Sequence, residues 1–90
     1  MSRIEVEIAN GLGLHSRAAN RFVRLASTIE SEIRVENGRG AANGKSILGL
    51  LALAAARGSV LRLSADGDDA ERALQALAAL VEDGFGEGST

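Results

Sequence analysis

The 90-residue chain has no cysteine, no proline, no tryptophan and no tyrosine, and it has one histidine. Each absence removes a class of protein. Without cysteine there is no disulfide framework, no thiolate nucleophile and no cysteine-ligated zinc or iron–sulfur site. One histidine cannot build a multi-histidine centre, so no metal and no cofactor is expected. Two phenylalanines, Phe22 and Phe85, leave no aromatic platform for stacking bases. Ten basic against twelve acidic residues give a net charge of −2, which argues against a nucleic-acid footprint. No apolar run is long enough for a membrane span: the longest, Ile47–Ala56, is half of the ~20 residues required. Met1–Asn10 alternates charged and apolar residues and lacks the core of a signal peptide. What remains is one soluble domain spanning residues 1–90, expected in the cytoplasm. Nothing indicates an obligate oligomer, so a monomer is expected.

What is present patterns clearly. Ser2–Ala9 alternates, with Ile4, Val6 and Ile8 on one face, as a half-buried strand does. Asn10–Gly13 reads as a glycine loop. Ala18, Ala19, Phe22, Val23 and Ala26 then follow a helical period, which predicts a helix over Ser16–Ser27. Ile33 and Val35 alternate with charges as a second strand. Asn37-Gly38 predicts a two-residue hairpin loop, with positive φ tolerated at both positions. Arg39–Asn43, poor in β-formers, is then a short edge strand. Ser46 is placed to N-cap a helix that runs to about Ala56 and ends with Gly58 as its C-terminal glycine. Val60–Ala65 is a fourth strand. Asp68 and Glu71 have the spacing of a capping box for a last helix, whose buried stripe is Ala70, Leu74, Leu77, Ala78 and Val81. Residues 84–90 are expected to fray.

The order β-α-β-β-α-β-α specifies an α+β open-faced sandwich. Two right-handed crossovers leave a gap that the fourth strand fills, giving a four-stranded antiparallel sheet of order 1-4-2-3 with three helices on one face.

His15 lies between the glycine loop and the first predicted helix. One reading is a surface histidine that caps a helix. The other is a phosphoryl acceptor. The backbone N–H groups of Ser16, Arg17 and Ala18 at a positive helix end form an anion site. Arg17 adds a forked phosphate donor. That positive end also disfavours a second positive charge on the imidazole, which leaves a nucleophilic lone pair. No partner base and no pocket is evident, which suits a group carrier better than a turnover enzyme. A carrier's nucleophile must sit on a convex surface, where two different active sites can reach it.

Ser46 reads by itself as a helix cap. Ile47, Leu48, Leu50, Leu51 and Leu53 exceed what one buried stripe requires, so some are expected at the surface as a docking patch. Gly44-Lys45-Ser46 lacks the glycine spacing of a phosphate-binding loop, and Asp66-Gly67-Asp68-Asp69 lacks the spacing of a calcium loop.

Gly13-Leu14-His15-Ser16-Arg17-Ala18-Ala19 resembles the Gly-Leu-His-x-Arg-Pro-Ala signature of HPr proteins, the histidine-containing phosphocarriers of the bacterial phosphoenolpyruvate-dependent phosphotransferase system. The resemblance continues at Phe22-Val23, Asn37-Gly38, Lys45–Gly49, Ser64–Asp69 and Ala73-Leu74. It implies that enzyme I phosphorylates His15 on Nδ1 and that Arg17 pairs with the phosphate. The phosphoryl group then passes to the A component of a sugar-specific enzyme II, or to its nitrogen-branch counterpart. It further implies docking through Leu14, Asn20, Ile47, Leu48 and Leu51, and possible control by an HPr kinase/phosphorylase acting on Ser46. One departure stands out: Ala18 occupies the family's proline position. A small interaction module whose His15 is never phosphorylated is the rival from another class.

Overall fold

The computed structural model describes residues 1–87. Its elements run in the order β1 (Ser2–Glu7), α1 (Ser16–Ala26), β2 (Glu32–Asn37), β3 (Gly40–Asn43), α2 (Ile47–Ala52), β4 (Val60–Asp66), α3 (Ala70–Glu82) and a 3₁₀ turn at Gly84–Gly86. The four strands form one antiparallel sheet of order β1-β4-β2-β3, the expected topology. Ile4 pairs with Leu63 and Val6 with Leu61, while Val35 pairs with Leu63 from the other side. This register puts most apolar strand residues on the helix-covered face, with Val60, at 49% exposure, the large exception on the open face. Val6, Ile33, Val35, Leu61, Leu63 and Ala65 are buried there. Glu5, Arg34 and Arg62 alternate onto the open face.

The helices close the core with small residues. α1 contributes Ala18, Ala19, Phe22 and Ala26, and α3 contributes Ala70, Ala73, Leu74, Leu77, Ala78 and Val81. All five residues of the expected α3 stripe are therefore inside. The alanine-rich face of α3 lets it approach β1 and β4 closely, while α1 packs against α2 and α3, and Phe22 and the leucines fill the remaining volume.

Four local expectations need correction. The helix after Ser46 is shorter than Ser46–Ala56. It stops at Ala52, with Leu53 as C-cap and Ala54 in the left-handed region at φ 50. The stop is set by tertiary contacts. Asn37 Nδ2 donates to the Leu53 carbonyl at 2.9 Å, and Leu53 itself is buried. The hairpin loop is Gly38-Arg39 rather than Asn37-Gly38, because Asn37 pairs with Gly40 as the last strand residue. The Asn37 side chain organises the turn by accepting from the amides of Arg39 and Gly40 at 2.9 and 3.2 Å. The capping box at Asp68 does not form. Asp69 is the N-cap, and its carboxylate reaches across to accept from the amides of Glu30 and Ser31 and from the Ser31 hydroxyl. The Ser31 hydroxyl is the main cause holding the Asp69 carboxyl below its ordinary range, and it and the amide bonds together outweigh the opposing effect of burial.

The fourth correction concerns the chain end. Residues 84–87 do not fray: Phe85 is fully buried in the core although its φ is 56. A left-handed phenylalanine costs about 1–2 kcal/mol, and burying a phenylalanine side chain contributes roughly 1.5–3 kcal/mol. The core contact therefore holds the strained conformation. Arg21 ties the same segment down by donating from Nη1 to the Phe85 carbonyl at 2.7 Å. The remainder of the expected frayed tail, residues 88–90, lies outside the described residues.

Candidate functional site

The site is assembled by the loop before α1. Gly13 has φ 67, and a Cβ there would lie 2.6 Å from the Ala55 carbonyl oxygen, so only glycine fits. That approach lets the Leu14 amide donate to Ala55 O at 2.9 Å, which fastens the loop to the segment after α2. His15 follows in extended geometry (φ −81, ψ 180) as the N-cap of α1. Its carbonyl accepts the first helical bond from Ala19 at 2.8 Å.

The two readings of His15 meet in one geometry. The imidazole does cap the helix: Nδ1 accepts from the Arg17 amide at 3.2 Å. Nδ1 therefore presents a lone pair toward the positive end of α1. The Arg17 amide is engaged by the imidazole rather than free. The amides of Ser16 and Ala18 have no hydrogen-bond acceptor among the described residues. The 3.2 Å bond is long for a cap. A phosphoryl group on Nδ1 would take over the Arg17 donor and find the neighbouring amides beside it. The Arg17 side chain is exposed and has no hydrogen bond or ion pair among the described residues, so its guanidinium is available to an anion.

The far nitrogen of the ring has a partner that sequence reasoning missed. His15 Nε2 contacts the Glu87 carboxylate at Oε2. The other oxygen, Oε1, accepts from Asn10 Nδ2 at 3.1 Å, and the same Nδ2 donates to Gly13 O at 2.8 Å. Burial raises the Glu87 carboxyl. Hydrogen bonds from His15 and Asn10 and the electrostatic pull of His15 and Arg21 overcome this and leave it below its ordinary value. The expectation of no partner base is thus corrected. The signal available in the sequence was Phe85, one of only two aromatics, lying in a segment otherwise read as tail.

The expected convex setting without a pocket is also corrected: a shallow cleft lined by Leu12, His15, Ser16, Arg17, Arg21, Gly86 and Glu87 surrounds the ring. The His15 side chain is 25% exposed, enough for an incoming group to reach it, while Glu87 is at 9%. Among the expected docking residues, Leu14 is a core residue at 5% exposure, because its amide anchors the loop inward. Asn20 is exposed, Leu51 is half-buried against the core, and Ile47 and Leu48 are 37% and 80% exposed. Leu12, at 72%, is an exposed apolar residue that the sequence reading did not single out. α1 and α2 pack against each other. Ser46 caps α2 through its Oγ, which accepts from the Gly49 amide at 3.0 Å.

Comparison with known proteins gives a consistent match. A family model described as the PTS HPr component phosphorylation site matches residues 2–83. The chain is 48% identical over 88 residues to a phosphocarrier protein HPr of Neisseria meningitidis, covering 98% of this chain and 99% of that protein. It is 43% identical over 91 residues to a phosphocarrier protein NPr of Shewanella violacea, covering 99% and 100%. A crystal structure of an HPr from Thermoanaerobacter tengcongensis superposes with a TM-score of 0.91 at 46% identity, covering 97% of this chain and 98% of that one.

Proposed function

The chain belongs to the HPr family of phosphotransferase-system phosphocarriers, and from that premise we propose that Nδ1 of His15 accepts a phosphoryl group from phosphorylated enzyme I and passes it to the A component of a sugar-specific enzyme II. The observation that carries this reading is the Nδ1 lone pair aimed at the first turn of α1, with the Ser16 and Ala18 amides unengaged among the described residues. Transfer is an in-line exchange. The Nδ1–phosphorus bond forms as the bond to the donor nitrogen breaks, and the reverse exchange discharges the group to the next carrier. Arg17 and the helix-start amides compensate the phosphoryl charge in both directions. The protein acts as a carrier: it returns to its starting state only by giving the group away. It works in the cytoplasm as a monomer, with no metal or cofactor.

The exposed Ile47 and Leu48, with Asn20 and the half-buried Leu51, supply the docking surface, and the exposed Leu12 in the lining of the cleft is a further candidate. Leu14 supports this surface from within. Ser46 lies next to Ile47 in the chain, so an HPr kinase/phosphorylase that phosphorylated it would place a double negative charge at the edge of an apolar contact and weaken docking. The 43% identity to an NPr supports a second reading, a carrier of the nitrogen-related branch.

The relay itself tests this. The protein is incubated with phosphoenolpyruvate and enzyme I, then with an A component of each branch. An acid-labile phosphoryl adduct, lost in His15→Ala and discharged faster to the sugar-branch component, is expected. Faster discharge to the nitrogen-branch component selects the second reading. No adduct leaves a non-phosphorylated interaction module.

A further inference from the structure

We infer that Glu87 is a positioning residue for phosphoryl acceptance: its carboxylate holds the proton of His15 on Nε2, so that Nδ1 keeps the lone pair, and then faces the positive charge the ring acquires on phosphorylation. The inference rests on the phosphoryl-acceptor reading of His15.

The two ring nitrogens have complementary neighbours. The Arg17 amide is a donor, so the Nδ1 it meets must be an acceptor. The Glu87 carboxylate is an acceptor, so the Nε2 it meets must be a donor. Only one neutral tautomer satisfies both, and it leaves the nucleophilic lone pair on the nitrogen facing the anion cradle. When Nδ1 attacks phosphorus, the electron pair of the breaking bond leaves with the donor nitrogen. The ring keeps its Nε2 proton and becomes cationic. The carboxylate already beside that proton then forms a charge-assisted bond.

Glu87 is held for this role. Phe85 is buried two residues earlier, and Arg21 donates to its carbonyl. The Glu87 amide donates to Gly84 O at 3.0 Å, and Asn10 holds the second carboxylate oxygen. Asn10 also donates to Gly13 O, and Gly13 O accepts from the His15 amide at 3.0 Å. One side chain thus links the carboxylate to the backbone of the histidine it orients. An incidental surface contact would not bring together a fully buried asparagine, a core phenylalanine and an arginine bridge.

The test uses the full-length protein with Glu87→Ala and Glu87→Gln, which leave Phe85 and the Arg21 bond in place. Nitrogen-15 NMR of the unphosphorylated imidazole reads the tautomer. Phosphoramidate, a small donor whose P–N bond breaks to release ammonia, reads acceptance without partner docking. The wild type is expected to carry its proton on Nε2. Both variants shift population toward the Nδ1–H tautomer and are phosphorylated about tenfold more slowly, the low end for a charge-assisted hydrogen bond at a partly exposed site. Unchanged tautomer populations overturn the inference, whatever happens to the melting temperature, because a purely structural anchor would alter stability alone. If enzyme I fails to charge the wild type, the carrier reading fails, while the tautomer measurement still decides the role of Glu87.

Discussion

Replacing Phe85 with alanine is the most informative change to the fold, because it separates a packed chain end from a loose one. The side chain is fully buried, and its own backbone is in the left-handed region at φ 56. Phe→Ala in a core costs about 3–5 kcal/mol. The segment is close to the chain end and can relax outward, so the lower end applies, about 3 kcal/mol. A domain of this size has about 5–13 kcal/mol of total stability. Phe85→Ala should therefore remain folded at room temperature, with a melting temperature lower by about 12–24 °C. Far-UV circular dichroism during heating is the suitable assay, since there is no tryptophan or tyrosine to report by fluorescence. Phe85→Leu should recover most of the loss. A shift of less than about 3 °C for Phe85→Ala would refute the reasoning and return the segment to the frayed tail expected from its glycines.

Ala54→Gly should stabilise the protein by about 1 kcal/mol in urea denaturation, because Ala54 holds φ 50 at the end of α2, where glycine has no Cβ penalty. Asp69 has its carboxyl pKa depressed in the folded state. It therefore contributes stability above its ordinary value of 3.8, and that contribution is lost as pH falls through the lower folded value. Urea midpoints measured from neutral pH down through that window should fall more steeply for the wild type than for Asp69→Asn. Ala18→Pro should keep the fold within ~1 kcal/mol, since the position is in the first turn of α1, where the proline ring is tolerated. It also removes one amide donor from the phosphate cradle. Its phosphorylated form should therefore hydrolyse about threefold faster, read by phosphorus NMR, in line with the loss of one neutral hydrogen bond.

Topology was legible because the strands alternate cleanly and the crossovers have a fixed hand. Ile4, Val6, Leu61 and Leu63 leave one register in which all four face the helices. The placement of His15 and Arg17 at the start of α1 was legible because the helical period of Ala18, Phe22 and Ala26 begins directly after the glycine loop. Long-range contacts were not. Alanine is the strongest helix former, so nothing local announces that α2 ends at Ala52. That stop depends on Asn37, distant in sequence, binding the Leu53 carbonyl. The Asp68–Glu71 spacing suggested a local cap, but Asp69 found better donors in the segment before β2. Glu87 was invisible for the same reason. Its neighbours are glycines, and its partner lies 72 residues away. Leu14 was misassigned because the signature places it beside the histidine, whereas the Ala55 contact turns it inward.

The central claim is that this chain carries a phosphoryl group on Nδ1 of His15. Nitrogen-15 and phosphorus-31 NMR of the labelled protein, charged by phosphoenolpyruvate and enzyme I, tests it most directly. Phosphorus coupled to the ring nitrogen that faces Arg17 is expected, with the proton retained on the nitrogen that faces Glu87. Phosphorus on Nε2, phosphorus on any other residue, or none bound at all would contradict it.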